Sequence, residues 1–169
     1  YTEVNNCILG SCRLRVHDVS AAADQPFHSQ CGKYTIVFNG AIYNFRELRE
    51  ELKHLGASFY TSSDTEVILQ AIIRWREKAF EKLDGMFAIA FLDRLNSTLI
   101  LGRDRFGTKP LYYYIDDTRM VFSSEIKPIL SFPGVPRNVN KDFLPEQVAF
   151  QTLAPPNTLF KDVYVLQPG

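Results

Sequence analysis

Two capped, amphipathic helices set among several short strands predict a layered α+β fold, and an apolar run at 86–92 supports it. That run is apolar at both parities, which a strand tolerates only when both its faces are covered, here by helices on one side and a second sheet on the other. With 46% hydrophobic residues, including 13 Phe and 8 Tyr among 169, the chain can bury one sizeable core. The core is expected over 1–131, followed by an irregular wrap-around segment over 132–169.

Taken in order, residues 8–16 alternate, with Ile8, Cys12, Leu14 and Val16 on one face and Ser11, Arg13 and Arg15 on the other, the pattern of a half-buried strand. Arg13 then points away from the core. A second strand over 34–38 leads into Asn39-Gly40, which closes it and opens onto a helix; Asn-Gly is also the commonest tight-turn dipeptide. Asn44 with Glu47 forms a capping-box pattern, Phe45, Leu48, Leu52 and Leu55 form the apolar stripe, and Gly56 ends the helix. Ser63 with Glu66 repeats the capping logic for a second helix. Val67, Ile68, Ala71, Ile72 and Trp75 form its buried face, and Asp64 lies in its first turn.

Beyond the central strand at 86–92, strands at 97–102, 111–115 and 119–122 read as a meander with polar turns at 93–96 and 116–117. After Ser131 the prolines at 133, 136, 145, 155, 156 and 168 predict irregular, surface-hugging chain.

Charge excludes some classes of partner. Lys and Arg number 19 against 19 Asp and Glu, so there is no footprint for nucleic acid or an anionic membrane. The apolar run at 86–92 is too short to span a bilayer, and the start, Tyr-Thr-Glu-Val-Asn-Asn, is not a signal peptide. A cytoplasmic setting is expected. Cys7, Cys12 and Cys31 are odd in number and lack Cys-x-x-Cys pairing, which argues against a disulfide framework or structural zinc. A metal site from Cys7, Cys12 and His17 would need Cys12 on the opposite strand face, so none is expected.

Five motifs in order carry more information than any one alone: Asn-Gly-Ala-Ile-Tyr-Asn at 39–44, Ser-Ser-Asp-Thr-Glu-Val at 62–67, Leu-Asp-Gly-Met-Phe-Ala at 83–88, Gly-Arg-Asp-Arg-Phe-Gly-Thr-Lys-Pro-Leu-Tyr-Tyr at 102–113 and Phe-Ser-Ser-Glu-Ile-Lys at 122–127. The series resembles the glutaminase domain of class II glutamine amidotransferases, in the branch that includes glutamine-hydrolysing asparagine synthetase, over residues 9–169. The resemblance implies the N-terminal-nucleophile hydrolase fold, a four-layer αββα sandwich of two mainly antiparallel sheets. Its implied activity is release of ammonia from glutamine for a synthetase domain on the same polypeptide. No cofactor is implied for this domain; ATP and Mg are implied for the synthetase domain.

The same resemblance distributes roles. Asn39 and Gly40 match the oxyanion-hole positions, where a side-chain amide and a backbone N–H converge on one developing charge. Arg13 aligns with the arginine that grips the substrate α-carboxylate, a task suited to a forked guanidinium, with Arg15 the alternative if the register slips by two. Leu14, Val16 and His17 would supply wall and backbone contacts beside it. Asp64 aligns with the carboxylate that meets the α-ammonium group, and it can also serve the helix dipole. Arg103, Asp104, Arg105 and Lys109 lack the glycine spacing of a phosphate loop and read as scaffold.

Two departures stand out. The family nucleophile is an N-terminal cysteine whose own α-amine acts as base, whereas this chain starts at Tyr1. A few dozen preceding residues, including the first strand, are therefore expected, the chain as given is expected to be inactive, and an unpaired sheet edge would favour a homodimer. Where the family reads Asn-Gly-Glu, this sequence reads Asn-Gly-Ala. Losing one of two charge-assisted contacts to the ammonium would cost on the order of 1.5–3 kcal/mol, roughly tenfold or more in affinity. A catalytically dead domain kept as a structural or docking module is the alternative.

Overall fold

The computed structural model describes residues 1–4, 7–12 and 21–169, and the chain divides into two compact units, Tyr1–Asp104 and Arg105–Gly169. This division precedes the change in sequence character at Ser131, which falls at the end of a helix inside the second unit.

In the first unit, β1 (Thr2–Val4) and β2 (Cys7–Leu9) pair as an antiparallel hairpin. The strand expected over 8–16 thus ends at Leu9, and 13–16 lie outside the described residues. Its facing is also the reverse of that expected: Leu9 is 1% exposed and Ile8 62%. A two-stranded ribbon buries a single face, and Gly10 breaks the alternation before it can carry Ile8 and Cys12 inward together. Cys12 is exposed, and Cys7, Cys12 and Cys31 are free thiols.

The main sheet runs β3 (Phe27–His28), β4 (Tyr34–Ile42), β5 (Gly85–Asp93) and β6 (Thr98–Arg103), each antiparallel to its neighbour. The expected central strand is β5, paired along its length to β4 and β6. Phe87, Ile89 and Phe91 face the helices, while Ala88, Ala90 and Leu92 are buried on the opposite face. Against Ile36, Phe38 and Ile42 of β4 pack α1 (Phe45–His54), through Leu48 and Leu52, and α2 (Asp64–Trp75), through Val67, Ile68, Ala71 and Ile72. Full burial of each such aliphatic side chain stabilises by about 1.5–3 kcal/mol. Leu55, placed on the stripe by periodicity, is 47% exposed because α1 has already ended at His54. The short α3 (Ala79–Lys82) leads back to β5.

Both helix starts differ from a simple capping box. Asn44 sits at φ −91°, ψ 23°, outside the extended conformation that aims a cap side chain at its helix. Its amide instead ties the end of β4 to the α3–β5 connection, with Nδ2 donating to the Lys82 carbonyl (2.9 Å) and Oδ1 accepting the Asp84 N–H (3.1 Å). Ser63 is extended, and its hydroxyl oxygen accepts the Thr65 N–H as a cap should. Glu66 does not complete the box directly, as described below.

In the second unit, β7 (Tyr112–Ile115) is the middle strand between β8 (Met120–Ser123) and β9 (Val163–Val165), all antiparallel. The expected meander is therefore broken: β6 belongs to the first unit's sheet, and β7 with β8 begins another. The helices α4 (Ile126–Ser131) and α5 (Leu144–Phe150) complete the unit, whose small core gathers Tyr114, Ile129, Val135 and Val163. The segment after Ser131 is thus only partly irregular: it forms α5, and β9 finds in β7 a partner that its proline-rich surroundings did not announce.

Among the described residues no helix is long and apolar enough to cross a membrane.

Candidate active site

Asn39, Gly40 and Ala41 do not form a turn. They continue β4 to Ile42 in unbroken register, opposite Ala88, Phe87 and Met86. Glycine makes this possible. Gly40 has φ +152°, and a Cβ there would overlap the Met86 carbonyl oxygen. The tight-turn preference of Asn-Gly yields to nine-residue pairing with β5, which buries both strands.

The direction of the N–H groups along this stretch defines an edge. The Tyr43 N–H donates to the Asp84 carbonyl, toward the β5 end of the ladder, whereas the Phe38 and Ile42 N–H groups donate to side chains, Gln25 Oε1 (2.6 Å) and Asp64 Oδ2 (3.3 Å). Successive N–H groups of a strand alternate in direction, so the Gly40 N–H lies between those two and points with them, away from β5. Among the described residues, β3 covers only Thr35 and Ile36 of that edge. Asn39 is exposed, and by strand alternation its side chain shares a face with that of Ala41, which is half-buried.

Asp64 is the first residue of α2 and only 6% exposed, yet its carboxylate reaches across to the peptide that follows Ala41. Asn39, Gly40, Ala41 and Asp64 are thus brought together along one strand edge. Arg13, Leu14, Val16 and His17 lie outside the described residues, as does the alternative Arg15.

Two residues that sequence reasoning passed over, Gln25 and Arg49, and one read only as half of a capping box, Glu66, support this edge and the segment that leads to Asp64. Gln25 holds the Phe38 N–H next to Asn39. Glu66, fully buried, accepts the Tyr60 N–H (3.0 Å), the Thr61 N–H (2.7 Å) and the Thr61 hydroxyl proton (2.7 Å). The Thr61 oxygen in turn accepts the Ser63 N–H at 3.3 Å, so the capping box is closed through an inserted hydroxyl. From α1, Arg49 donates Nη1 to the Thr61 carbonyl (2.7 Å) and Nη2 to the Ser63 carbonyl (3.0 Å), while its guanidinium lies 4.6 Å from the Phe59 ring centroid. Burial, and secondarily the Glu66 charge, push the Tyr60 phenol above its ordinary value. Glu66 carried a signal, the Ser63 spacing; Arg49 lay on a polar helix face and carried none.

In the charged segment read as scaffold, Asp104 is buried and exchanges two hydrogen bonds with Phe87, its N–H to the Phe87 carbonyl (2.9 Å) and Oδ2 from the Phe87 N–H (3.2 Å). Asp104 thereby extends the sheet pairing past Arg103. The described residues include no cluster of His, Cys, Asp and Glu able to hold a metal.

Comparison with known proteins identifies the family of the chain. The sequence profile of a family described as a glutamine amidotransferase domain matches residues 1–169. Asparagine synthetase [glutamine-hydrolyzing] 3 of Bacillus subtilis is 35% identical over 167 residues, 98% of this chain and 27% of that protein. Asparagine synthetase [glutamine-hydrolyzing] 1 of the same organism is 39% identical over 163 residues, 95% of this chain and 25% of that protein. The chain therefore spans about a quarter of the length of these relatives. Among solved structures, glutamine phosphoribosylpyrophosphate amidotransferase from B. subtilis superposes with a TM-score of 0.51 and 29% identity over 61% of this chain and 25% of that one. The α+β fold of mainly antiparallel sheets is thus of the N-terminal-nucleophile hydrolase type.

Proposed function

Because this chain belongs to the glutamine amidotransferase domain family, we propose that it hydrolyses the side-chain amide of glutamine and supplies the ammonia to an ATP- and Mg-dependent synthetase part of the same cytoplasmic protein, which makes asparagine from aspartate. The observation that carries this reading is the Gly40 peptide. By strand alternation its N–H points away from β5, toward an edge that β3 covers only at Thr35 and Ile36 among the described residues, and its backbone conformation leaves no room for a side chain.

The chemistry divides along that edge. As a nucleophilic thiolate adds to the amide carbon, negative charge grows on the amide oxygen. The Asn39 Nδ2–H and Gly40 N–H are the donors assigned to that charge, and fixed donors stabilise it with little reorganisation. Collapse then expels ammonia, whose nitrogen takes the proton that the cysteine's α-amine removed from the thiol, and leaves a thioester for water to hydrolyse. The nucleophile is the N-terminal cysteine that the family resemblance implies.

At the other end of the substrate, Asp64 faces the α-ammonium group. Gly40 and Ile42, where Asp64 is anchored, are about 7 Å apart along an extended strand, on the scale of one amino-acid side chain. Arg13 would pair with the α-carboxylate.

Full-length protein supplied with aspartate, ATP and Mg²⁺ tests this. Asparagine is expected with either glutamine or an ammonium salt as nitrogen source, and ammonia is expected from glutamine alone. A second reading, the non-catalytic docking module, is favoured by Ala41 in place of the family glutamate. It predicts synthesis from ammonium only and no binding of glutamine by calorimetry.

A further inference from the structure

The segment 60–63 that delivers Asp64 is gripped from both sides by charged side chains belonging to two different helices. Glu66 of α2 takes the Tyr60 N–H, the Thr61 N–H and the Thr61 hydroxyl. Arg49 of α1 forks over the Thr61 and Ser63 carbonyls. Ser63 is therefore held at its N–H through Thr61 and at its carbonyl by Arg49, which fixes the peptide plane from which Asp64 departs.

Starting a helix does not require this much. The Ser63 hydroxyl on the Thr65 N–H already caps α2, a contact worth about 1 kcal/mol. Glu66, by contrast, is 0% exposed, and sequestering a carboxylate is unfavourable unless its oxygens are fully engaged. What the clamp adds is lateral precision: Asp64 Oδ2 meets the Ile42 N–H on a different element, 22 residues away in sequence.

We propose that Arg49 and Glu66 are positioning residues of the glutamine site, acting through Asp64 to hold its carboxylate at the ammonium end of the Asn39–Ile42 edge. This rests on the role given to Asp64 above. With no second carboxylate at position 41, the orientation of Asp64 alone sets the ammonium contact, so loosening the clamp should appear in substrate affinity before it appears in turnover.

The test uses full-length protein carrying Glu66→Gln, which keeps the shape but sets an amide donor against N–H donors, or Arg49→Lys, which keeps the charge but loses the fork. Each is made with Asp64 and with Asp64→Asn. The expected result is a rise of about tenfold in KM for glutamine with kcat changed far less, and no further rise once Asp64 is Asn. Amide exchange at Ile42 should also quicken in Glu66→Gln. An equal rise in both backgrounds would assign the two residues to stability alone and overturn the proposal, as would an unchanged KM. If the unaltered protein releases no ammonia from glutamine, the functional reading fails separately; faster exchange at Ile42 then still upholds the clamp on Asp64, and unchanged exchange overturns it.

Discussion

Gly40 and Gly85 interlock across the β4–β5 ladder: a Cβ on Gly40 would overlap the Met86 carbonyl oxygen, and a Cβ on Gly85 would overlap that of Ala41. Their φ values, +152° and +158°, belong to glycine. The peptides on either side of Ala41 are thus held at a spacing that no side chain permits, beside the N–H assigned to the oxyanion.

Gly40→Ala should therefore destabilise by at least the 1–3 kcal/mol typical of overpacking, roughly, because the obstacle is backbone that cannot rotate away. Gly10→Ala is the control: its Cβ would meet Tyr1 Cβ at an ordinary 3.7 Å, and the change should stay within about 0.5 kcal/mol. Urea unfolding of both variants checks the contrast.

Ala41→Glu should restore a second carboxylate near Asp64. Glutamine binding by full-length protein is expected to tighten by about tenfold, with ammonia-dependent synthesis unchanged because that route bypasses the pocket. Isothermal titration together with the two synthesis assays measures it. A variant that binds glutamine no better would show that Asp64 alone satisfies the ammonium.

An acid-stability window is expected in the β7–β8 hairpin. The Thr118 hydroxyl and N–H, together with Tyr114 and Arg119, outweigh desolvation and hold the Asp116 carboxyl at about 2, below the ordinary 3.8. A depressed carboxyl stabilises the fold above its unfolded value, and that contribution disappears as pH falls through the folded one. The unfolding midpoints of wild type and Asp116→Asn should differ most above pH 3.8 and converge by about 2. A constant difference across that range would contradict it.

Helix positions, the central strand and its apolar character on both faces were legible because burial imposes periodicity directly on sequence, as Val67, Ile68, Ala71 and Ile72 show. The reversal of Ile8 and Leu9 was not, since alternation fixes which residues share a face but not which face meets the core. Nor was the continuation of β4 through Asn39-Gly40, because a local turn preference gave way to pairing with a strand more than forty residues on. The membership of β7 in a separate sheet, completed by β9, depends on contacts no window of sequence contains. At the site, the motif resemblance singled out Asn39, Gly40, Ala41 and Asp64, and the structure joins the last to their strand through the Ile42 N–H, while Arg13 lies outside the described residues. The clamp of Arg49 and Glu66 stayed hidden because its partners are mainly backbone groups of 60–63, which leave no residue-type signature.

The most direct test of the central claim, that the Asn39–Gly40 edge stabilises the oxyanion of glutamine hydrolysis, is the turnover of Asn39→Ala in the full-length protein. Loss of one of two preorganised donors should lower kcat for ammonia release by about 10²–10³ while KM for glutamine changes little. A kcat left near that of the unaltered protein would contradict the account.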